Sequence, residues 1–103
     1  MSKTFNKKDY ESNDGMVSGI WGPSAWHYLH TISFNYPVNP TQEHKKQYTE
    51  FLMAFGKTLP CSYCRDNYKK NLKKVNFSQK DMNSRNTFSR MIYKLHNCVN
   101  KML

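Results

Sequence analysis

Nothing in this sequence is long and apolar enough to cross a bilayer. A spanning helix needs about 18 or more consecutive apolar residues, and polar or charged residues interrupt the chain well short of that throughout. Nor does a signal-like apolar core follow the N-terminal lysines, so a soluble protein with no membrane partner is expected. Acidic residues are scarce: 7 aspartates and glutamates oppose 16 lysines and arginines, a formal charge of +9. The imbalance is concentrated late in the chain, where Arg65, Lys69, Lys70, Lys73, Lys74, Lys80, Arg85, Arg90, Lys94 and Lys101 face only Asp66 and Asp81. Such an excess attracts polyanions without sequence preference. A solvated basic face is the plainest reading; an acidic partner surface, a dinucleotide pyrophosphate and nucleic acid are the others. There is no convincing strand, no internal repeat and no low-complexity linker.

Hydrophobic residues make up 38% of the 103 positions and aromatics 15%, enough to fold one domain with a modest core. The opening MSKTFNKKDYESNDG is polar, charged and aperiodic, so residues 1–18 are expected to form a flexible tail and 19–103 a single folded domain.

Trp21-Gly22-Pro23-Ser24 reads as a helix start, with Ser24 as a possible cap. Ala25, Trp26, Leu29, Ile32, Ser33 and Tyr36 then recur at helical spacing until Pro37. Thr41 can cap a second helix whose stripe is Tyr48, Phe51, Leu52 and Phe55, with Gly56 and Pro60 bracketing its end. A third helix from Pro60 or Cys61 carries Cys64, Tyr68 and Leu72 along one side. After a loop near Lys74 to Lys80, with Ser78 or Asp81 as cap candidates, a fourth helix repeats Phe88, Met91, Ile92, Leu95, Val99 and Met102. This pattern predicts an all-α antiparallel four-helix bundle, whose core suits a cofactor held by facing helices.

Chemistry is concentrated in Leu59-Pro60-Cys61-Ser62-Tyr63-Cys64-Arg65. Two cysteines at this spacing can close a small disulfide at a helix N-terminus, where the helix dipole and a neighbouring cation favour the thiolate that attacks disulfides or a flavin. The spacing alone leaves redox use, metal binding and an inert structural bridge open. A thioredoxin arrangement needs a βαβ pattern around the motif, which is missing. Farther on, His96, Val99 and Asn100 share one helical face, and buried polar side chains there need partners, since an unpaired one costs about 1 to 3 kcal/mol. Neighbouring helices or a flavin could supply them. Trp26 and His30 lie four apart on the first helix with Phe34 a turn beyond; ordinary packing accounts for them equally well in isolation.

Taken in order, Trp21-Gly22-Pro23-Ser24-Ala25-Trp26-x-x-Leu29-His30-Thr31, Tyr36-Pro37, Leu59-Pro60-Cys61-x-x-Cys64 and His96-Asn97-x-Val99-Asn100 resemble the motifs of the Erv/ALR family of FAD-linked sulfhydryl oxidases, from about Ile20 to the C-terminus. The resemblance implies a helical bundle, usually a homodimer, with FAD at the mouth of four helices. It implies oxidation of protein thiols to disulfides, with electrons passed to O2 to give hydrogen peroxide. Cys64 would be the flavin-proximal cysteine and Cys61 the distal one, attacked by incoming thiols. Gly22, Trp26, His30, Cys64, His96, Asn97, Val99 and Asn100 would contact FAD. No metal is implied. The richness in lysine and asparagine suggests an AT-rich genome, and the family's occurrence in large DNA viruses adds a viral origin as one reading; compartment and physiological thiol are not legible.

Departures from the family pattern are equally specific. Where relatives often have Gly-Arg-Ser-Ser-Trp, this chain has Gly22-Pro23-Ser24-Ala25-Trp26, so any contact made by that arginine is absent or supplied elsewhere. The family's Leu-x-Lys segment and short fifth helix would follow Asn100, yet the sequence stops at Leu103, as expected of a fragment. The family's shuttle cysteine pair is missing, so electrons are expected to reach Cys61 from another protein or from a dithiol outside this chain. Cys98 is left over, with a buried free thiol the favoured reading.

Two rival classes remain. Cys61, Cys64, His96 and Cys98 could form a structural zinc site, although His96 and Cys98 point about 200° apart around a helix. A basic nucleic-acid-binding bundle rests on charge alone.

Overall fold

A computed structural model describes Lys7 and residues 18–102. Four helices carry the chain: α1 (Ser18–Phe34), α2 (Gln42–Lys57), α3 (Ser62–Lys74) and α4 (Arg85–Met102), with a 3-10 turn at Gln79–Met82 before the last. No strand occurs among the described residues, and no described helix is long and apolar enough to cross a membrane. The expected tail lies outside the described residues except for Lys7 and Ser18, the latter being the first residue of α1.

Helix α1 therefore starts earlier than Ser24. Pro23 lies inside it, close enough to the N-terminus that its missing N–H removes only one early i to i−4 bond, and Ser24 is an exposed helical residue rather than the cap. Thr41 does cap α2: its Oγ1 accepts from the His44 backbone N–H at 3.1 Å, while His44 Nδ1 accepts from the Thr41 N–H at 3.1 Å. His44 thus performs the reciprocal role that glutamate usually takes in a capping box. The cap of α4 is Ser84, not Ser78 or Asp81. Ser84 Oγ accepts from the Thr87 N–H and Thr87 Oγ1 from the Ser84 N–H, each at 3.1 Å; Asp81 instead accepts from the Ser78 N–H at 3.0 Å and closes the 3-10 turn.

Helix α2 ends at Lys57 with Thr58 as its C-cap, between Gly56 and Pro60 as the sequence predicts. The glycine is needed for contact. A Cβ at this buried position would run into the ring of Tyr68 on α3, whose hydroxyl donates to the Leu52 carbonyl at 2.8 Å. Burial raises the Tyr68 pKa, keeping it a neutral donor. Close approach of α2 and α3 is thereby fixed just after the Cys61-Cys64 segment.

Leu29 and Tyr36 from the first segment, Leu52 from α2, Tyr68 from α3, Met82 from the 3-10 turn and Phe88, Met91, Ile92 and Leu95 from α4 form the core. Full burial of such side chains contributes roughly 1.5 to 3 kcal/mol each before entropy. Tyr36, just beyond α1, packs edge-on against Tyr48 and Phe88 at 4.7 and 4.8 Å. Its hydroxyl donates to the Met82 carbonyl at 2.7 Å, and its own carbonyl accepts from Arg85 Nε at 2.6 Å. This knot ties the end of α1 to the start of α4, so that the two helices lie against each other.

Candidate functional site

The packing of α1 on α4 brings together three side chains that are far apart in sequence. The Trp26 indole stacks on the His96 imidazole with ring centroids 4.3 Å apart and planes within 5°. His30, one turn after Trp26, places Nε2 2.9 Å from His96 Nδ1. Phe34 continues the α1 stripe, its ring 6.2 Å from that of His30. Gly22 begins the same stripe, and a Cβ added there would meet nothing within 4 Å, leaving accessible backbone beside Trp26.

Burial pushes the pKa of both His30 and His96 below the ordinary histidine value. A neighbouring imidazole adds to the effect, His27 for His30 and His30 for His96. The pair is therefore neutral at pH 7, and one proton lies in the Nε2 to Nδ1 contact whichever tautomer is taken. The two outer ring nitrogens then comprise one donor and one acceptor. Asn97 and Val99 are half-buried on the adjoining part of α4, and Asn100 is exposed. One turn before Trp26, Trp21 Nε1 is buried with no acceptor among the described residues.

The cysteine segment is built around a tight turn. Cys61 N–H donates to the Leu59 carbonyl at 2.8 Å, a three-residue turn centred on Pro60, whose fixed φ suits it. Cys61 then caps α3, its Sγ accepting from the Cys64 N–H at 3.1 Å. Both cysteines are half-buried, and Cys61, Cys64 and Cys98 all stand as thiols. Because α3 packs on α4, the helix bearing Cys64 adjoins the helix bearing His96.

The zinc alternative finds no gathered ligand set. No group of three or more His, Cys, Asp or Glu side chains able to hold a metal occurs among the described residues, and His96 is engaged by Trp26 and His30. A flavin suits the α1–α4 cluster better: aromatic faces offer stacking, the histidine pair offers a donor and an acceptor, and Gly22 leaves backbone open. Sequence reasoning identified Trp26, His30 and His96 but not the direct bond between the two histidines, which lie 66 residues apart. It noted Arg65 only as a neighbouring cation, whereas the structure binds its guanidinium to the Leu59 carbonyl.

Four helices, a dithiol turn at the start of the third and an aromatic and imidazole cluster between the first and last define a small all-helical module. The sequence model of the Erv1 / Alr family matches residues 23–103, and the chain belongs to that family. A protein of Acanthamoeba polyphaga mimivirus, named as a probable FAD-linked sulfhydryl oxidase, is 35% identical over 80 residues, covering 78% of this chain and 56% of the relative. The mitochondrial FAD-linked sulfhydryl oxidase ERV1 of Saccharomyces cerevisiae is 29% identical over 102 residues, 99% of this chain and 50% of the relative. This chain thus spans about half the length of these two proteins. The crystal structure of the FAD binding domain of yeast Erv1 superposes with a TM-score of 0.71 at 31% identity, covering 79% of this chain and 74% of that one.

Proposed function

We propose that this chain is an FAD-dependent thiol oxidase in which residues 19–103 form the catalytic domain and Cys61 and Cys64 form its redox pair. The observation that carries this reading is the Trp26, His30 and His96 cluster joining α1 to α4, the helix on which the dithiol-bearing α3 packs. Family membership and the FAD-linked names of the relatives support it.

In the oxidised pair, a substrate thiolate attacks Cys61 Sγ and displaces Cys64 as the leaving thiolate. A second substrate thiol then attacks the mixed disulfide and releases Cys61. Two substrate thiols have become one disulfide, and Cys61 and Cys64 hold the electron pair as thiols. Bound FAD would supply the two-electron acceptor for that pair, with O2 as the final oxidant and H2O2 as its product. Trp26 and His96 present ring faces to the cofactor, His30 and His96 offer fixed hydrogen-bonding nitrogens, and Gly22 permits close backbone approach. Asn97, Val99 and Asn100 would extend the contact along α4, and Cys64 would be the cysteine nearer the flavin.

Electrons enter at Cys61 from protein thiols or from a shuttle dithiol outside this chain. The protein is further proposed to be a homodimer, supported by a shallow, mainly apolar groove along Tyr28, Ile32, Gln47, Tyr48 and Phe51 that a second copy can cover. The purified protein is expected to be yellow, absorbing near about 450 nm as a bound isoalloxazine does, and to produce peroxide with dithiothreitol. A colourless protein that takes up no added FAD overturns the reading.

A further inference from the structure

We propose that Arg65 is the positioning residue of the Cys61-Cys64 pair, an inference that rests on the redox reading above. The Leu59 carbonyl accepts two hydrogen bonds, from the Cys61 N–H at 2.8 Å and from Arg65 Nη1 at 2.6 Å. The Arg65 backbone N–H also donates to the Cys61 carbonyl at 2.9 Å. One residue therefore grips both ends of the Leu59-Pro60-Cys61 turn, by its side chain at the start and its main chain at the finish.

That turn decides where the Cys61 sulfur lies. Cys61 enters α3 in extended conformation, φ −166° and ψ 118°, and only from there does its Sγ meet the Cys64 N–H at 3.1 Å. A planar, permanently charged guanidinium makes stronger and more directional bonds to a carbonyl than a neutral donor does. Arg65 is half-buried, so the bond is partly shielded from competing water. The consequence is a higher effective concentration of Cys61 Sγ at Cys64 Sγ, which favours the closed bridge over the dithiol.

The test equilibrates the full chain with reduced and oxidised glutathione and counts bridged against open Cys61-Cys64 by alkylation and mass spectrometry. Closing the bridge joins Cys61 Sγ to Cys64 Sγ and releases two protons and two electrons; one glutathione disulfide takes them up and becomes two glutathione thiols. Arg65→Met is expected to lower the equilibrium constant for closure about three- to tenfold, and a tenfold fall raises the reduction potential by about 30 mV. Arg65→Lys, whose ammonium can still donate to Leu59, is expected to fall between Arg65→Met and the parent.

The sign is diagnostic. Removing a cation that only stabilised thiolates would lower the potential, because the dithiol form would lose support. A purely structural role would lower the melting temperature and leave the potential of the folded protein in place. A potential for Arg65→Met within twofold of the parent equilibrium constant, or shifted downward, overturns the assignment while leaving the oxidase reading intact. If the parent forms no bridge at any glutathione ratio, the redox reading itself fails, and this inference with it.

Discussion

The Trp26 indole and the His96 imidazole lie 4.3 Å apart and nearly parallel, which joins α1 to α4 at the level of the His30 to His96 hydrogen bond. Aromatic pairing of this kind is worth about 0.5 to 1.5 kcal/mol beyond area burial, and the same two side chains are those proposed to meet a bound flavin. Trp26→Ala is expected to weaken FAD binding by about tenfold, the equivalent of roughly 1.4 kcal/mol. Fluorescence titration of the flavin-stripped protein measures it; an unchanged Kd would mean that Trp26 serves packing alone.

Acid should loosen the same junction. His30 and His96 have folded pKa values below the ordinary 6.5 because burial disfavours the imidazolium, so the unfolded chain binds protons more readily than the folded one. Their contribution to stability is complete above about pH 6.5 and is lost as pH falls through the depressed folded values. Melting temperature is expected to decline as pH falls below about 6.5. His96→Phe, which keeps a flat ring but cannot titrate, should flatten that slope, and an equally steep profile in the variant would remove the histidine pair from the explanation.

The Gly56 contact with Tyr68 leaves no room for a methyl group. Gly56→Ala is expected to destabilise the fold by about 1 to 3 kcal/mol, equivalent to roughly 4 to 8 °C of melting temperature per kcal/mol for a domain near this size. Helix propensity alone would make the same change stabilising. Thermal melts therefore separate the two effects, and the penalty should shrink in a Tyr68→Ala background.

Cys98 is a half-buried thiol on α4 with no part in the proposed electron path. Cys98→Ser is expected to leave dithiothreitol-dependent peroxide production within about twofold, under 0.5 kcal/mol of barrier. A larger loss in a steady-state assay would place this cysteine on the path.

The four helices were legible because their apolar residues follow helical spacing: Leu29, Leu52, Tyr68, Phe88, Met91, Ile92 and Leu95 are all buried. One local signal misled for a physical reason. Pro23-Ser24 resembles a helix start, yet a proline near an N-terminus disrupts few bonds, so α1 could begin at Ser18. Gly56 does lie beside the end of α2, but its second role, a missing Cβ that admits Tyr68, has no local signal. For the site, local motifs selected the residues without revealing their pairing. The His30 to His96 bond and the Arg65 grip on Leu59 depend on tertiary approach and side-chain reach, neither of which has a periodic signature.

Transfer of an electron pair from the Cys61-Cys64 dithiol to a bound flavin is tested most directly by anaerobic absorption spectroscopy of the parent and of Cys64→Ser, each loaded with FAD and mixed with dithiothreitol. The parent is expected to lose its yellow absorbance rapidly, whereas Cys64→Ser should hold equal FAD and stay yellow over the same interval. Bleaching of Cys64→Ser at the parent's rate would contradict the account.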